Sequence, residues 1–225
     1  MCASKLHWLR RIACLLAAAG SPSAADPAAE GGRDPVDEPS SRPVNGGELV
    51  FLERPPEKGA HRQDNHVVIR ESSLVDGWVE LRQCHERLDR VPRSQVVFNK
   101  DRARAITVTV AEGIGEVWVE GNTVQVKDTR DGARLCIGAE TRALEALAAG
   151  GFQLRNGPFM RRFLDGYYPM AVTMRVTLAT PRVRFEGIDP APQTGLRVWE
   201  QPGEIFYHAL FEGRLVTRIF LKTFP

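Results

Sequence analysis

A chain of 225 residues, 43% hydrophobic and 26% charged, is long enough to bury its own core and has the composition of a globular protein. The formal charge of +2 overstates its basicity: three of the 30 basic residues (Lys5, Arg10 and Arg11) sit in a segment read below as a leader, which leaves 27 against 28 acidic ones. A near-neutral mature chain lacks the electrostatic footprint for nucleic acid, whose affinity rests on neutralising phosphates, and gives no basis for attraction to an anionic bilayer.

The N-terminus reads as an export signal. Basic residues precede a short apolar run at 12–19, and small residues follow it up to Ala25; this is the layout of a secretory signal peptide. The apolar run is far below the ~20 residues that would span a bilayer. Cleavage near Ala25 predicts a periplasmic or secreted protein with no transmembrane segment in the mature chain. Residues 26–60 then carry repeated prolines, Gly-Gly pairs and many acids, with one apolar tetrad, Leu49-Val50-Phe51-Leu52. They are expected as a disordered tether, the tetrad docking as an edge strand.

Removal of the leader takes Cys2 and Cys14 with it and leaves Cys84 and Cys136. Two cysteines in an oxidising compartment are expected to pair. Each is out of step with its neighbouring leucine (Leu81, Leu135), so a bridge between regular strands need not lie in the aliphatic layer.

From His66 onward the pattern is strand, turn, strand. Alternating or apolar runs occur at 67–69, 78–84, 95–98, 106–110, 116–120, 123–127 and 134–137, then at 183–185, 196–199, 205–211 and 215–224. Turns are expected at Asp76-Gly77, Gly121-Asn122 and Asp131-Gly132. Residues 140–155 admit either a helix or a strand–turn–strand closed by Gly150-Gly151, and the neighbouring strands favour the second. The longest alternation places Met170, Val172, Met174, Val176 and Leu178 on one face and Ala171, Thr173, Arg175 and Thr177 on the other, which predicts a central strand with one buried side. No helical crossover is evident, so parallel pairing is not expected. The class is all-β. The specific expectation is a β-sandwich, immunoglobulin-like or of a related two-sheet architecture, over 61–225, with two packed subdomains dividing near 150 as a variant.

Motifs for chemistry are sparse. There is no Gly-x-Ser-x-Gly elbow, phosphate loop or dinucleotide fingerprint, and no cofactor is implied. His61, Asp64, His66 and His85 are metal-type donors, but their spacing matches no known site, and on a strand His61 and His66 face opposite sides. The distinctive stretch is 159–169, where aromatics alternate with arginines. Phe159, Arg161, Arg162, Tyr167 and Tyr168 form the expected recognition surface, because such side chains offer large contact area at modest ordering cost. Arg161 and Arg162 have the acids at 34–38 as possible partners. The expected role is a non-catalytic binding or accessory protein of a bacterial-type cell envelope, recognising a protein or another envelope component. The alternative is an envelope hydrolase or metal-binding protein centred on His66 and His85.

Overall fold

Alternation of apolar and polar residues builds this molecule. The computed structural model describes residues 44–57 and 59–224. Strand accounts for 69% and helix for 2%, so the chain is all-β, in several sheets. The expected signal peptide and the first part of the tether, acids 34–38 included, lie outside the described residues.

In chain order the strands are β1 (Val50–Phe51), β2 (His61–Ile69), β3 (Trp78–Leu88), β4 (Arg93–Val97), β5 (Ala103–Glu120), β6 (Thr123–Arg142), β7 (Leu144–Ala146), β8 (Phe152–Phe159), β9 (Arg161–Phe163), β10 (Gly166–Tyr168), β11 (Met170–Leu178), β12 (Val183–Asp189), β13 (Leu196–Gln201), β14 (Glu204–Glu212) and β15 (Leu215–Thr223). A single helical turn, α1 (Ser73–Asp76), joins β2 to β3.

β11 lies in the middle of the largest sheet, whose order is β1-β14-β11-β2-β3-β6-β4, with β13 also on β14 and β5 also on β6. Met170, Val172, Met174 and Val176 are buried, while the intervening residues face outward. The pairing departs from the sequence expectation in one respect: β11 is antiparallel to β14 but parallel to β2. No crossover helix is needed, because the whole run from β3 to β10 makes the connection.

The four runs between Ile106 and Ile137 do not form separate strands. They merge into β5 and β6, of 18 and 20 residues. Gly121-Asn122 closes them as a two-residue loop, with Glu120 opposite Thr123. Asp131-Gly132, expected as a turn, lies inside β6. Positive φ at Asp128 (54°) and Gly132 (75°), with a register shift between Glu112 and Ile114, absorbs the irregularity as a bulge instead of reversing the chain. Residues 144–159 are strand–turn–strand, with Leu144 opposite Leu154.

A four-stranded sheet, β12-β15-β8-β7, shares its buried face with the large one. Leu154, Leu215, Ile219 and Leu221 pack in one cluster with Val172, Val176, Ile205, Tyr207 and Phe211. Each such burial contributes roughly 1.5–3 kcal/mol, so this layer dominates the stability. A second cluster, with Val124, Val126, Leu135 and Ile137 at its centre, covers β6. The described residues fall in one compact unit. Within the expected tether, the apolar tetrad does supply an edge strand: Val50 pairs with Glu212 and Phe51 with Phe211. No helix among the described residues is long and apolar enough to cross a membrane.

Candidate functional site: a cavity over a polar row

The inward face of β2 and β3 changes character along its length. On β2, His61, Gln63 and Asn65 precede Val67 and Ile69 on one face; on β3, Gln83 and His85 follow Val79 and Leu81. Gln63, Asn65, Gln83 and His85 are all buried. Buried polar groups must find partners, and these find one another. Gln63 Nε2 donates to Asn65 Oδ1 at 2.9 Å, and Asn65 Nδ2 donates to the Thr173 carbonyl at 3.3 Å. Gln83 Nε2 donates to His85 Nε2 at 2.6 Å, and His85 Nδ1 lies 3.0 Å from His61 Nε2.

That chain fixes the tautomers. His85 accepts at Nε2, so its proton is on Nδ1 and is donated to His61, which carries its own proton on Nδ1. Both rings are neutral. Burial brings His85 down to about 3, with the neighbouring His61 adding to the effect. Burial, then the nearby Arg161 charge, brings His61 down to about 4, with Asp89 opposing.

Over this row opens a cavity of about 610 Å³, within the roughly 300–1,000 Å³ range of small-molecule sites. It is lined by residues of β2, β3, β4 and β6 and by the segment 155–163. Val67, Leu81, Phe98, Leu135 and Met174 add apolar lining beside the polar row.

The expected recognition residues divide. Phe159 is 8% exposed, belongs to the core and lines the cavity, so it is no surface contact; its position on β8 turns it inward. The other four form a small two-stranded sheet of their own, with Arg162 opposite Tyr167 and Arg161 opposite Tyr168. Leu164 is fully exposed at its tip, and Phe163 meets Tyr168 edge-on at 5.4 Å. Arg161 pairs with Asp89 (Nη2 to Oδ1, 2.5 Å), and Arg162 lies over the Tyr167 ring at 5.6 Å. Arg161 and Arg162 line the cavity as well, so this hairpin is its rim.

The metal-type donors are not brought together. His61 and His85 face the cavity. Asp64 and His66 lie on the other face, where Asp64 pairs with Arg62 at 2.9 Å and His66 Nε2 sits 2.8 Å from Thr177 Oγ1. No group of three or more His, Cys, Asp or Glu able to hold a metal occurs among the described residues. Cys84 and Cys136 are bonded and directly opposite each other on β3 and β6. The alternation puts them on the face away from Leu81, Gln83, His85 and Leu135.

Sequence reasoning missed the polar row and the cavity. The available signal was His61-x-Gln63-x-Asn65 running in register into Val67-x-Ile69, a polar stretch on what becomes an inward face. No family model, curated protein or solved structure matches this chain.

Proposed function

We propose that this chain is an exported, non-catalytic binding protein of a bacterial-type cell envelope, and that its ligand, a small envelope component, occupies the cavity with the 161–168 hairpin as its rim. The observation that carries this reading is the cavity itself: a preformed concave space with apolar walls, a few convergent polar groups and an aromatic-arginine edge. Catalysis is disfavoured because the two imidazoles in the cavity hydrogen-bond to each other and to Gln83, and neither holds a nucleophile or carboxylate among the described residues. Export is supported by the basic–apolar–small pattern of residues 1–25 and by the Cys84–Cys136 bond. The shared core of the two larger sheets supports a two-sheet β-sandwich as the architecture.

The test is titration of the mature protein with N-phenyl-1-naphthylamine, a neutral apolar dye that fluoresces on leaving water. Saturable one-to-one binding, lost when Val96→Trp fills the cavity, is the expected result. No saturable binding, or binding indifferent to that substitution, would refute the reading.

A further inference from the structure

The polar row has more hydrogen-bonding capacity than it spends on itself. Gln63 stands opposite His85, and Asn65 opposite Gln83, on the paired strands β2 and β3. The four side chains thus form one patch, which His61 joins through His85. Donation runs in one direction, from Gln83 to His85 and from His85 to His61. It ends on the His61 Nδ1 proton, which has no acceptor among the described residues. Gln63 and Gln83 each donate an amide N–H within the row, and neither Oε1 receives a donor in return. Among the described residues, the buried side-chain atoms sealed off without a partner are Thr129 Oγ1, Arg134 Nε and Asn156 Nδ2. His61 Nδ1 and the two Oε1 atoms are not of that kind, and all three residues line the cavity, so their free valences open onto it.

The lining has no free charge directed at the same space. Asp89 is held through both oxygens by Arg161, and Arg102 by Glu145 at 2.6 Å. Arg142 is in step with Cys136 on the outward face of β6, and Arg155 lies opposite Arg218, between the inward-facing Leu154 and Asn156. Both side chains therefore turn from the cavity. Arg162 is exposed at the rim, over the Tyr167 ring. The two imidazoles are neutral by their own hydrogen bonds.

One donor and two acceptors in an uncharged setting select a ligand by its chemistry. A hydroxyl both donates and accepts, so it satisfies either kind of atom. A carboxylate only accepts and would meet the Oε1 lone pairs; an ammonium only donates and would meet the His61 N–H. Either ion would also leave water without a counter-charge. We propose that the cavity takes an uncharged, hydroxyl-bearing amphiphile, its hydroxyls on His61, Gln63 and Gln83 and its apolar part against Val67, Leu81, Leu135 and Met174. This rests on reading the cavity as a ligand site.

Displacement of N-phenyl-1-naphthylamine separates the two ideas. The competitors share one alkyl chain and are used below their micelle concentrations: octyl glucoside, its tetra-O-methyl ether, octanoate and octyltrimethylammonium. The glucoside should displace the dye at least about tenfold better than either ion. It should also beat the ether about tenfold, because the ether accepts hydrogen bonds but cannot donate them, and both Oε1 atoms would go without. Saturation with the glucoside should shift the imidazole NMR signals of His61 and His85 and leave those of His66, on the other face, in place. Equal displacement by the ether or by an ion overturns the hydroxyl-bearing ligand and leaves the cavity reading intact. A preference for the glucoside with unmoved His61 and His85 signals overturns the polar row as its site. Failure of the dye and of every competitor to bind overturns both readings.

Discussion

The hydroxyls of Tyr207 and Thr217 meet at 3.0 Å, and neither side chain has any exposed surface. Tyr207 stands on β14 and Thr217 on β15, so this bond is a polar tie between the two larger sheets inside an otherwise aliphatic layer. Its burial pushes the Tyr207 phenol up. Tyr207→Phe leaves the Thr217 hydroxyl without its partner, and should cost about 1–3 kcal/mol. Tyr207→Phe/Thr217→Val removes both polar groups and should recover most of that loss. Urea unfolding of these two variants, of Thr217→Val and of the wild type measures the coupling; strict additivity would show that the tie contributes nothing.

Cys84 and Cys136 close a loop with a sequence separation of 52. Cys84→Ala/Cys136→Ala should lower stability by about 4 kcal/mol on the chain-entropy account, and reduction of the wild type should lower the urea midpoint to the same degree. Because the bond lies on the face turned from the cavity, dye binding at temperatures where the variant is folded should be unchanged. Loss of binding with retained strand content would place the bond in the site's architecture.

The buried strands were legible because their period is unambiguous. Met170, Val172, Met174 and Val176 announce one inward face, and Gly121-Asn122 announces its hairpin. What depends on partners was not legible. The parallel pairing of β2 with β11 is set by residues more than a hundred positions apart, and no local pattern encodes it. Asp131-Gly132 has the residues of a turn, yet within a 20-residue strand the same backbone freedom yields a bulge. Phe159 read as part of an aromatic-arginine surface because it opens a stretch where aromatics alternate with arginines; the strand β8 turns it inward instead. The cavity's polar row is the clearest case. Gln63, Asn65, Gln83 and His85 are ordinary surface residues in isolation, and only their bonds to the residue two places along the same strand, with the His61–His85 and Asn65–Thr173 contacts to the neighbouring strands, make them suitable for burial.

Arg161 and Asp89 anchor the rim. The guanidinium reaches both carboxylate oxygens (Nε to Oδ2 at 3.1 Å, Nη2 to Oδ1 at 2.5 Å), and its side chain is only 19% exposed. The same guanidinium lies 5.3 Å from the Phe163 ring and 5.6 Å from that of Tyr168. Arg161→Ala should therefore loosen the hairpin as a unit while costing the whole protein only about 1 kcal/mol. Limited proteolysis next to Leu164 should accelerate several-fold, and Asp89→Asn should act in the same direction. An unchanged cleavage rate in both variants would show that the Phe163–Tyr168 contact alone holds the rim.

Two histidines whose folded values lie below the ordinary one make stability fall with acid. In the unfolded chain an imidazole titrates near 6.5; in the folded protein His61 waits until about 4 and His85 until about 3. Between those values the unfolded state binds protons that the folded state refuses. The contribution is whole above pH 6.5 and is lost progressively as the pH drops through 4 to 3. His66 and His208, also lowered mainly by burial, add to the same slope. Each unit of separation is worth about 1.4 kcal/mol. The variant His61→Asn/His85→Asn, though less stable at neutral pH for want of the hydrogen-bond chain, should show a shallower loss between pH 6.5 and 4 than the wild type. Urea midpoints across that range give the two slopes, and imidazole NMR shifts give the titrations directly. Equal slopes, or rings that titrate near 6.5, would mean that the pair is solvated and that the polar row is not sealed under the cavity.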